Sequence, residues 1–158
     1  MTVPAMPDAN HPKIETLVPY LAKQGGKPDK ETFFVGHSIG CQTILRYLAA
    51  APKGTEIGGI VLVAGWLHLT PQSIKEKKAM MIAQPWLETP IAYERVKACT
   101  KNIVAVFSDN DPYVPLDDAK IFEQQLTARS ILEKKKGHLG GEDSIMELPC
   151  VKEALLQM

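Results

Sequence analysis

The sequence predicts an α/β fold, a three-layer sandwich in which helices flank a mostly parallel β-sheet. Apolar, β-rich segments alternate along the chain with segments whose apolar residues recur at helical spacing, which is the order that parallel βαβ units produce. Two of the β-rich segments, "GGIVLVAG" and "KNIVAVFS", are apolar almost without interruption, as expected for strands covered on both faces. The length of 158 residues suits a single domain over 1–158.

The first half of the chain contains five predicted elements. "TVPAMP" contains two prolines and is predicted as an edge strand. "HPKIETLVPYLAKQ" has apolar residues at helical spacing and is predicted as an amphipathic helix. The next three elements are the strand "TFFVGH", a helix "SIGCQTILRYLAAA" that ends near Pro52 and Gly54, and the strand "GGIVLVAG".

Two later segments open with Thr-Pro, which predicts a helix start in each. Threonine is a favoured N-cap, and proline fits the first helical position. These predicted helices are "TPQSIKEKKAMMIA" and "TPIAYERVKACT". The remaining elements are the strand "KNIVAVFS", the helix "PLDDAKIFEQQLTA", the strand "RSILEKK" and a closing helix "LPCVKEALLQ".

Composition excludes several classes of function. The chain has 18 basic and 18 acidic residues, so no charge excess indicates a nucleic-acid partner. It has no apolar run near the ~18 residues that a membrane span needs, and no signal peptide opens it. The three cysteines lack CxxC spacing, which disfavours a disulfide framework or a zinc site and favours the cytoplasm. No metal or other cofactor is predicted.

The loops that follow the predicted strands contain the candidate site. In sheets of this kind, ligands bind beyond the carboxyl ends of the strands. The side chains expected there, in chain order, are those of Ser38, Trp66, Asp109 or Asp111, and His138. One edge of the sheet therefore offers a serine, an acid and a histidine.

Ser38 lies in "GHSIG", between a predicted strand and a predicted helix. This context fits the G-x-S-x-G nucleophile elbow, in which a strained turn exposes the serine hydroxyl. Side chains at Gly36 and Gly40 are expected to clash with the neighbouring strand and helix. The N–H of Ile39 is expected to be an oxyanion donor at the start of the helix.

A serine hydroxyl needs a base, and the chain has four histidines. His138 follows the last strand, where the base of a Ser-Asp-His chain order falls. His37 is expected to pack or hydrogen-bond beside the serine, and it is assigned with Trp66 to substrate binding. His68 could line the site or lie in an exposed loop, and His11 is expected at the surface.

The acid that orients the base should follow the penultimate strand, where "SDNDPYVP" offers two candidates. Asp111 is favoured for this role, and Asp109 is the alternative, with a turn as its other interpretation. Asp117 and Asp118 fall in the first turn of the next helix and are interpreted as dipole and capping residues.

The chain resembles the small serine hydrolases related to retinoblastoma-binding protein 9 and the bacterial YdeN proteins. The motifs concerned span the chain in order: "MPDANHPKIETLVPYL", "VGHSIGCQTILRYL", "IVLVAGW", "PWLETPIAYERVK", "FSDNDPYVPLDDA" and "KGHLGGEDSIMELPCV". The resemblance implies an α/β-hydrolase fold, a triad of Ser38, Asp111 and His138, and cofactor-free hydrolysis of small esters or amides.

One departure from that family concerns the N-terminal region. Family members usually begin with a further strand and helix, including a His-Gly loop that supplies a second oxyanion donor. The expectation is that this chain is a shortened form or that its true start lies upstream. A missing central strand would leave a strand edge open, which a homodimer could cover. Losing one oxyanion donor typically costs about 100- to 1,000-fold in rate.

Three functions are therefore weighed. The first is a serine hydrolase of small ester or amide substrates that works through an acyl-enzyme. The second is a catalytically weak or inactive binding protein on a hydrolase scaffold, which the absent His-Gly segment favours. The third is an acyltransferase that uses the same nucleophile with an acceptor other than water.

Overall fold

The computed structural model of the protein describes all residues from 1 to 158. Four strands form one parallel sheet in the order β1-β2-β3-β4. The strands are β1 (Phe33–His37), β2 (Gly59–Val63), β3 (Ile103–Ser108) and β4 (Arg129–Glu133). All four carboxyl ends therefore lie at the same edge of the sheet.

Seven α-helices and one short 3₁₀-helix connect and cover the strands. Their bounds are α1 (Ile14–Gly25), α2 (Ile39–Ala50), α3 (Pro71–Ile74), α4 (Lys77–Glu88), α5 (Tyr93–Cys99), α6 (Asp118–Leu126), the 3₁₀-helix Gly141–Asp143 and α7 (Pro149–Leu156). The longest have 12 residues, and none has the length and apolarity that crossing a bilayer requires.

The sheet separates two apolar clusters, as a three-layer sandwich requires. Ile60 and Leu62 of β2 face the larger cluster of 22 buried residues, which includes side chains of α1, α2, α4, α5 and α6. Val61 and Val63 face the smaller cluster of 7, which includes Ala154 of α7. Every residue of β2 and β3 is buried, so the prediction of strands covered on both faces is confirmed.

Strand β1 lies at one edge of the sheet and pairs with β2 alone. Its side chains are less covered than those of β2, since Phe33 is 39% exposed and Val35 is 50% exposed. Gly36, in contrast, is buried where the strand meets α2.

Three predictions about individual elements are wrong. Residues 1–6 form no strand and make no backbone hydrogen bonds, and the prolines of "TVPAMP" remove donors that strand pairing would need. The second Thr-Pro does not start a helix: Thr89 ends α4 and its hydroxyl donates to the carbonyl oxygen of Pro85 at 2.7 Å. The first does, because the Thr70 hydroxyl accepts from the N–H of Ser73 at 3.3 Å. The single helix predicted over "TPQSIKEKKAMMIA" is nevertheless wrong, because α3 ends at Ile74 and α4 begins at Lys77.

Candidate active site

The carboxyl edge of the sheet brings Ser38, His138 and Asp111 into one hydrogen-bonded chain. The Ser38 hydroxyl lies 2.9 Å from Nε2 of His138. Nδ1 of the same ring lies 2.8 Å from Oδ2 of Asp111. Because the carboxylate accepts from Nδ1–H, Nε2 of the neutral imidazole is the nitrogen that accepts from the hydroxyl. The geometry is that of a nucleophile, a base and the group that orients the base.

Ser38 sits on a strained turn between β1 and α2. Its φ is 51°, in the left-handed region that residues with a Cβ rarely occupy. Its N–H donates to the carbonyl oxygen of Val63 at 2.9 Å, which ties the turn to the end of β2. The turn directs the hydroxyl toward the loop that carries His138.

The two glycines of the elbow have different environments. A Cβ at Gly36 would lie 2.8 Å from the backbone of Gly40 and Cys41 and from the side chain of Ile44. A Cβ at Gly40 would meet nothing within 4 Å. The predicted steric requirement is therefore confirmed for Gly36 and wrong for Gly40, because the helical turn at Gly40 faces open space.

The first turn of α2 presents a free donor beside the serine. Ile39 is the first residue of α2, so its N–H has no acceptor within the helix. It makes no hydrogen bond elsewhere. The group is therefore available at the place where an oxyanion-hole donor would be needed.

Asp111 and Asp109 have separate contacts. Oδ1 of Asp111 accepts from the N–H groups of Tyr113 and Val114 at 2.8 and 3.0 Å, while Oδ2 faces His138. The Asp111 carboxylate is 3% exposed. Asp109 does not contact the imidazole, and its Oδ1 accepts from the N–H of Lys135 at 2.7 Å.

The loop before His138 is held by side chains from the end of β3 and the residues after it. The Asn110 amide oxygen accepts from the N–H of Gly137 at 2.9 Å and from the Ser108 hydroxyl. The Ser108 oxygen in turn accepts from the N–H of Lys136 at 3.1 Å. Asn110 was not predicted, although an Asx residue in a post-strand loop is a weak signal of this kind of contact.

Asp143 holds His138 from the other side, since its Oδ2 accepts the His138 N–H at 2.8 Å. Gly137 has a φ of 55°, and a Cβ there would fall 2.1 Å from Oδ1 of the same carboxylate. Only glycine fits between the loop and this aspartate. Asp143 has no recognisable signal in the sequence, because the contact depends on the path of the loop.

Two aromatic rings flank the imidazole of His138. The rings of His37 and Tyr113 each pack edge-to-face against it, with centroids 5.0 Å away. His37 also uses Nε2 to donate to the His138 carbonyl oxygen at 2.7 Å. The local hydrogen bond expected of His37 is therefore present, and it engages Nε2 of the ring.

The structure places Trp66 in the core and not at the surface of the site. It is 5% exposed and belongs to the larger apolar cluster. Its carbonyl oxygen accepts from the side chain of Gln42. This position does not support the predicted contact between Trp66 and substrate, because the indole packs among buried side chains.

His68 and Asp118 form a second histidine–carboxylate pair. Nδ1 of His68 lies 2.7 Å from Oδ1 of Asp118, whose Oδ2 accepts from the N–H groups of Leu67 and His68. Asp118 lies in the first turn of α6, as predicted, but it is 1% exposed and no N–H of that helix donates to its carboxylate. The carboxylate instead ties the loop after β2 to the start of α6.

The loop after β2 lines a surface cavity of about 290 Å³ through Leu67 and His68. Gln42, one helical turn after the serine, lines it together with His68 and Tyr93. Ser38 and His138 are not among its lining residues. No cluster of three or more His, Cys, Asp or Glu side chains is arranged to hold a metal ion.

Comparison with known proteins supports the same fold and family. A family model described as "Serine hydrolase" matches residues 4–157. The protein of Bacillus subtilis strain 168 named "Putative hydrolase YdeN" is 25% identical over 150 residues, which is 95% of this chain and 75% of that protein.

Solved structures are also similar. The crystal structure of the B. subtilis ydeN gene product has a TM-score of 0.86 at 24% identity, over 98% of this chain and 79% of that one. A YdeN-like protein from Pectobacterium atrosepticum has a TM-score of 0.59 at 16% identity, over 91% and 69% of the two chains. At these identities, the two structures bear on the fold alone.

Proposed function

Because the chain belongs to the serine hydrolase family, we propose that Ser38, His138 and Asp111 are its catalytic residues and that it hydrolyses small esters or amides. The observation that supports this most is the hydrogen-bonded chain from the Ser38 hydroxyl through His138 to Asp111, with distances of 2.9 and 2.8 Å. A serine activated in this way attacks acyl carbonyl carbons, which defines the class of substrate.

In the first half of the reaction, Ser38 Oγ attacks the carbonyl carbon and its proton passes to Nε2 of His138. The new C–O bond converts the carbonyl oxygen into an oxyanion, which the N–H of Ile39 stabilises. The imidazolium then gives the proton to the leaving alcohol or amine as its bond to carbon breaks. Asp111 keeps the ring in the required tautomer and stabilises its positive form.

In the second half, water replaces the leaving group. His138 takes a proton from the water as its oxygen attacks the acyl carbon, and the second oxyanion forms at the same place. The proton then passes to Ser38 Oγ as the acyl–serine bond breaks. The products are the carboxylic acid and the regenerated hydroxyl, so atoms and protons balance without a cofactor.

Covalent labelling by a fluorophosphonate probe tests this function. We expect an adduct on Ser38, located by mass spectrometry, that is absent in Ser38→Ala and greatly slowed in His138→Ala. His11→Ala serves as the control, because this histidine is exposed and its side chain has no part in the hydrogen bonds of Ser38, His138 and Asp111. A folded protein that takes no adduct would contradict the proposal and favour a binding role on the same scaffold.

A further inference from the structure

His37 connects the strand that carries the serine to the loop that carries His138. It is the last residue of β1 and directly precedes Ser38. Its Nε2 lies 2.7 Å from the carbonyl oxygen of His138, which is 101 residues away in sequence. Since a carbonyl oxygen can only accept a hydrogen bond, Nε2 carries a proton and is the donor.

This bond is the fourth hydrogen bond that His138 makes. The ring is held between the Asp111 carboxylate and the Ser38 hydroxyl. The peptide N–H donates to Asp143 at 2.8 Å, and the peptide carbonyl accepts from His37. The two peptide contacts hold the backbone of His138 itself, while Asn110 and Ser108 hold the two residues before it. Of the two peptide partners, only His37 belongs to the strand that ends at the nucleophile.

The charge state of His37 is compatible with a role beside a base. Partial burial of the imidazole lowers the pKa of His37, although the residue as a whole is exposed, and its bond to the His138 carbonyl raises that pKa in part. A positive charge on His138 lowers the pKa of His37 further, and the carboxylates of Asp111 and Asp143 oppose this. A neutral His37 does not repel the positive charge that His138 acquires during catalysis.

We propose that His37 is a positioning residue, whose Nε2–H sets the His138 loop at the correct distance from Ser38. The inference rests on the proposed function of the site. A misplacement of about 1 Å can cost on the order of a hundredfold in rate. We therefore expect His37→Phe, which keeps a planar ring but has no donor, to lower kcat by about ten- to a hundredfold with little change in KM.

The conservative variant His37→Gln separates the hydrogen bond from simple packing. Its amide N–H can occupy the place of Nε2–H, so we expect kcat to recover to within a few-fold of the wild-type value. Hydrolysis of p-nitrophenyl acetate provides kcat and KM, and thermal unfolding verifies that each variant is folded. His11→Phe is the matched control, because the side chain of this exposed histidine makes no hydrogen bond.

Amide hydrogen exchange in residues 134–140 gives a readout that does not need activity. We expect faster exchange there in His37→Phe and wild-type rates in His37→Gln. Equal exchange in all three proteins would overturn the inference, as would a folded Gln variant that behaves like the Phe variant. If the wild type proves inactive while the exchange pattern is as expected, the positioning role stands and the proposed hydrolase function fails.

Discussion

At the scale of single residues, Asp111 has two oxygens with separate partners. Oδ2 accepts from His138, and Oδ1 accepts from the N–H groups of Tyr113 and Val114. These bonds fix the carboxylate plane, so Oδ2 cannot turn away from the imidazole. Asp109 lies two residues earlier and uses its carboxylate for the N–H of Lys135 instead.

Substitution of these two aspartates should therefore have unequal effects. Asp111→Asn keeps the size and an acceptor for the backbone but places an amide beside Nδ1, which favours the wrong tautomer of His138. We expect kcat to fall by on the order of a thousandfold or more. In the control Asp109→Asn, the amide oxygen still accepts from Lys135, and a change below about fivefold is expected. Steady-state ester hydrolysis measures kcat for both variants. A larger loss of kcat in Asp109→Asn would show that Asp109, and not Asp111, orients the base.

Strand ends and chain order suffice to predict that Ser38, His138 and an aspartate after β3 meet at one edge. They favoured Asp111 but left Asp109 as the alternative, and the two differ only in their contacts. The sequence did not predict Asn110 or Asp143. Their contacts with the His138 loop depend on how the loop folds, and neither hydropathy nor spacing encodes that path.

At the scale of elements, the turn from β1 into α2 determines where the serine points. The strand passes so close to the first turn of α2 that Gly36 has no room for a side chain. The helix start that follows leaves the N–H of Ile39 free. The left-handed φ of Ser38 and the free donor of Ile39 both belong to this turn.

Alanine substitution at the two elbow glycines tests that close approach. Gly36→Ala would place a methyl group 2.8 Å from backbone atoms of the helix, and overpacking of this kind costs about 1–3 kcal/mol of unfolding free energy. Gly40→Ala meets no neighbour and replaces a poor helix former, so stability should stay the same or rise by up to about 1 kcal/mol. Urea unfolding measures the free energy of unfolding of both variants. Equal destabilisation would show that the two glycines do not differ in the space around them.

Element prediction succeeded where burial is strong and local. The apolar runs of β2 and β3 and the periodic pattern of α1 correspond to the observed elements. It failed for "TVPAMP", which has strand composition but no strand partner in the structure. It failed at Thr89 as well, because Thr-Pro is compatible with the end of one helix as well as the start of another.

At the scale of the whole molecule, the parallel sheet brings residues that are far apart in the sequence to the same edge. Ser38 and His138 are 100 residues apart and 2.9 Å apart in space. Bonds that join different loops, such as those from His37 to His138 and from Gly137 to Asn110, need the strands to be assembled in the sheet. The site and the global fold should therefore be lost together, and a titratable group in the site should affect the stability of the whole.

His37 provides such a link between pH and folding. Burial lowers its pKa below the ordinary value of 6.5 in the folded protein, so the unfolded chain binds the proton first as the pH falls. Its stabilising contribution is then complete above about pH 6.5 and declines as the pH falls through the lowered value. His37→Gln keeps a donor and does not titrate.

We expect the melting temperature of the wild type to fall more steeply between about pH 7 and pH 5 than that of His37→Gln. Calorimetry of both proteins over this range measures the difference, in which the contributions of all other groups cancel. His11→Gln removes an exposed histidine and should follow the wild-type curve. Parallel curves for the wild type and His37→Gln would mean that folding does not lower the pKa of His37, and the neutral state assigned to it beside His138 would lose its basis.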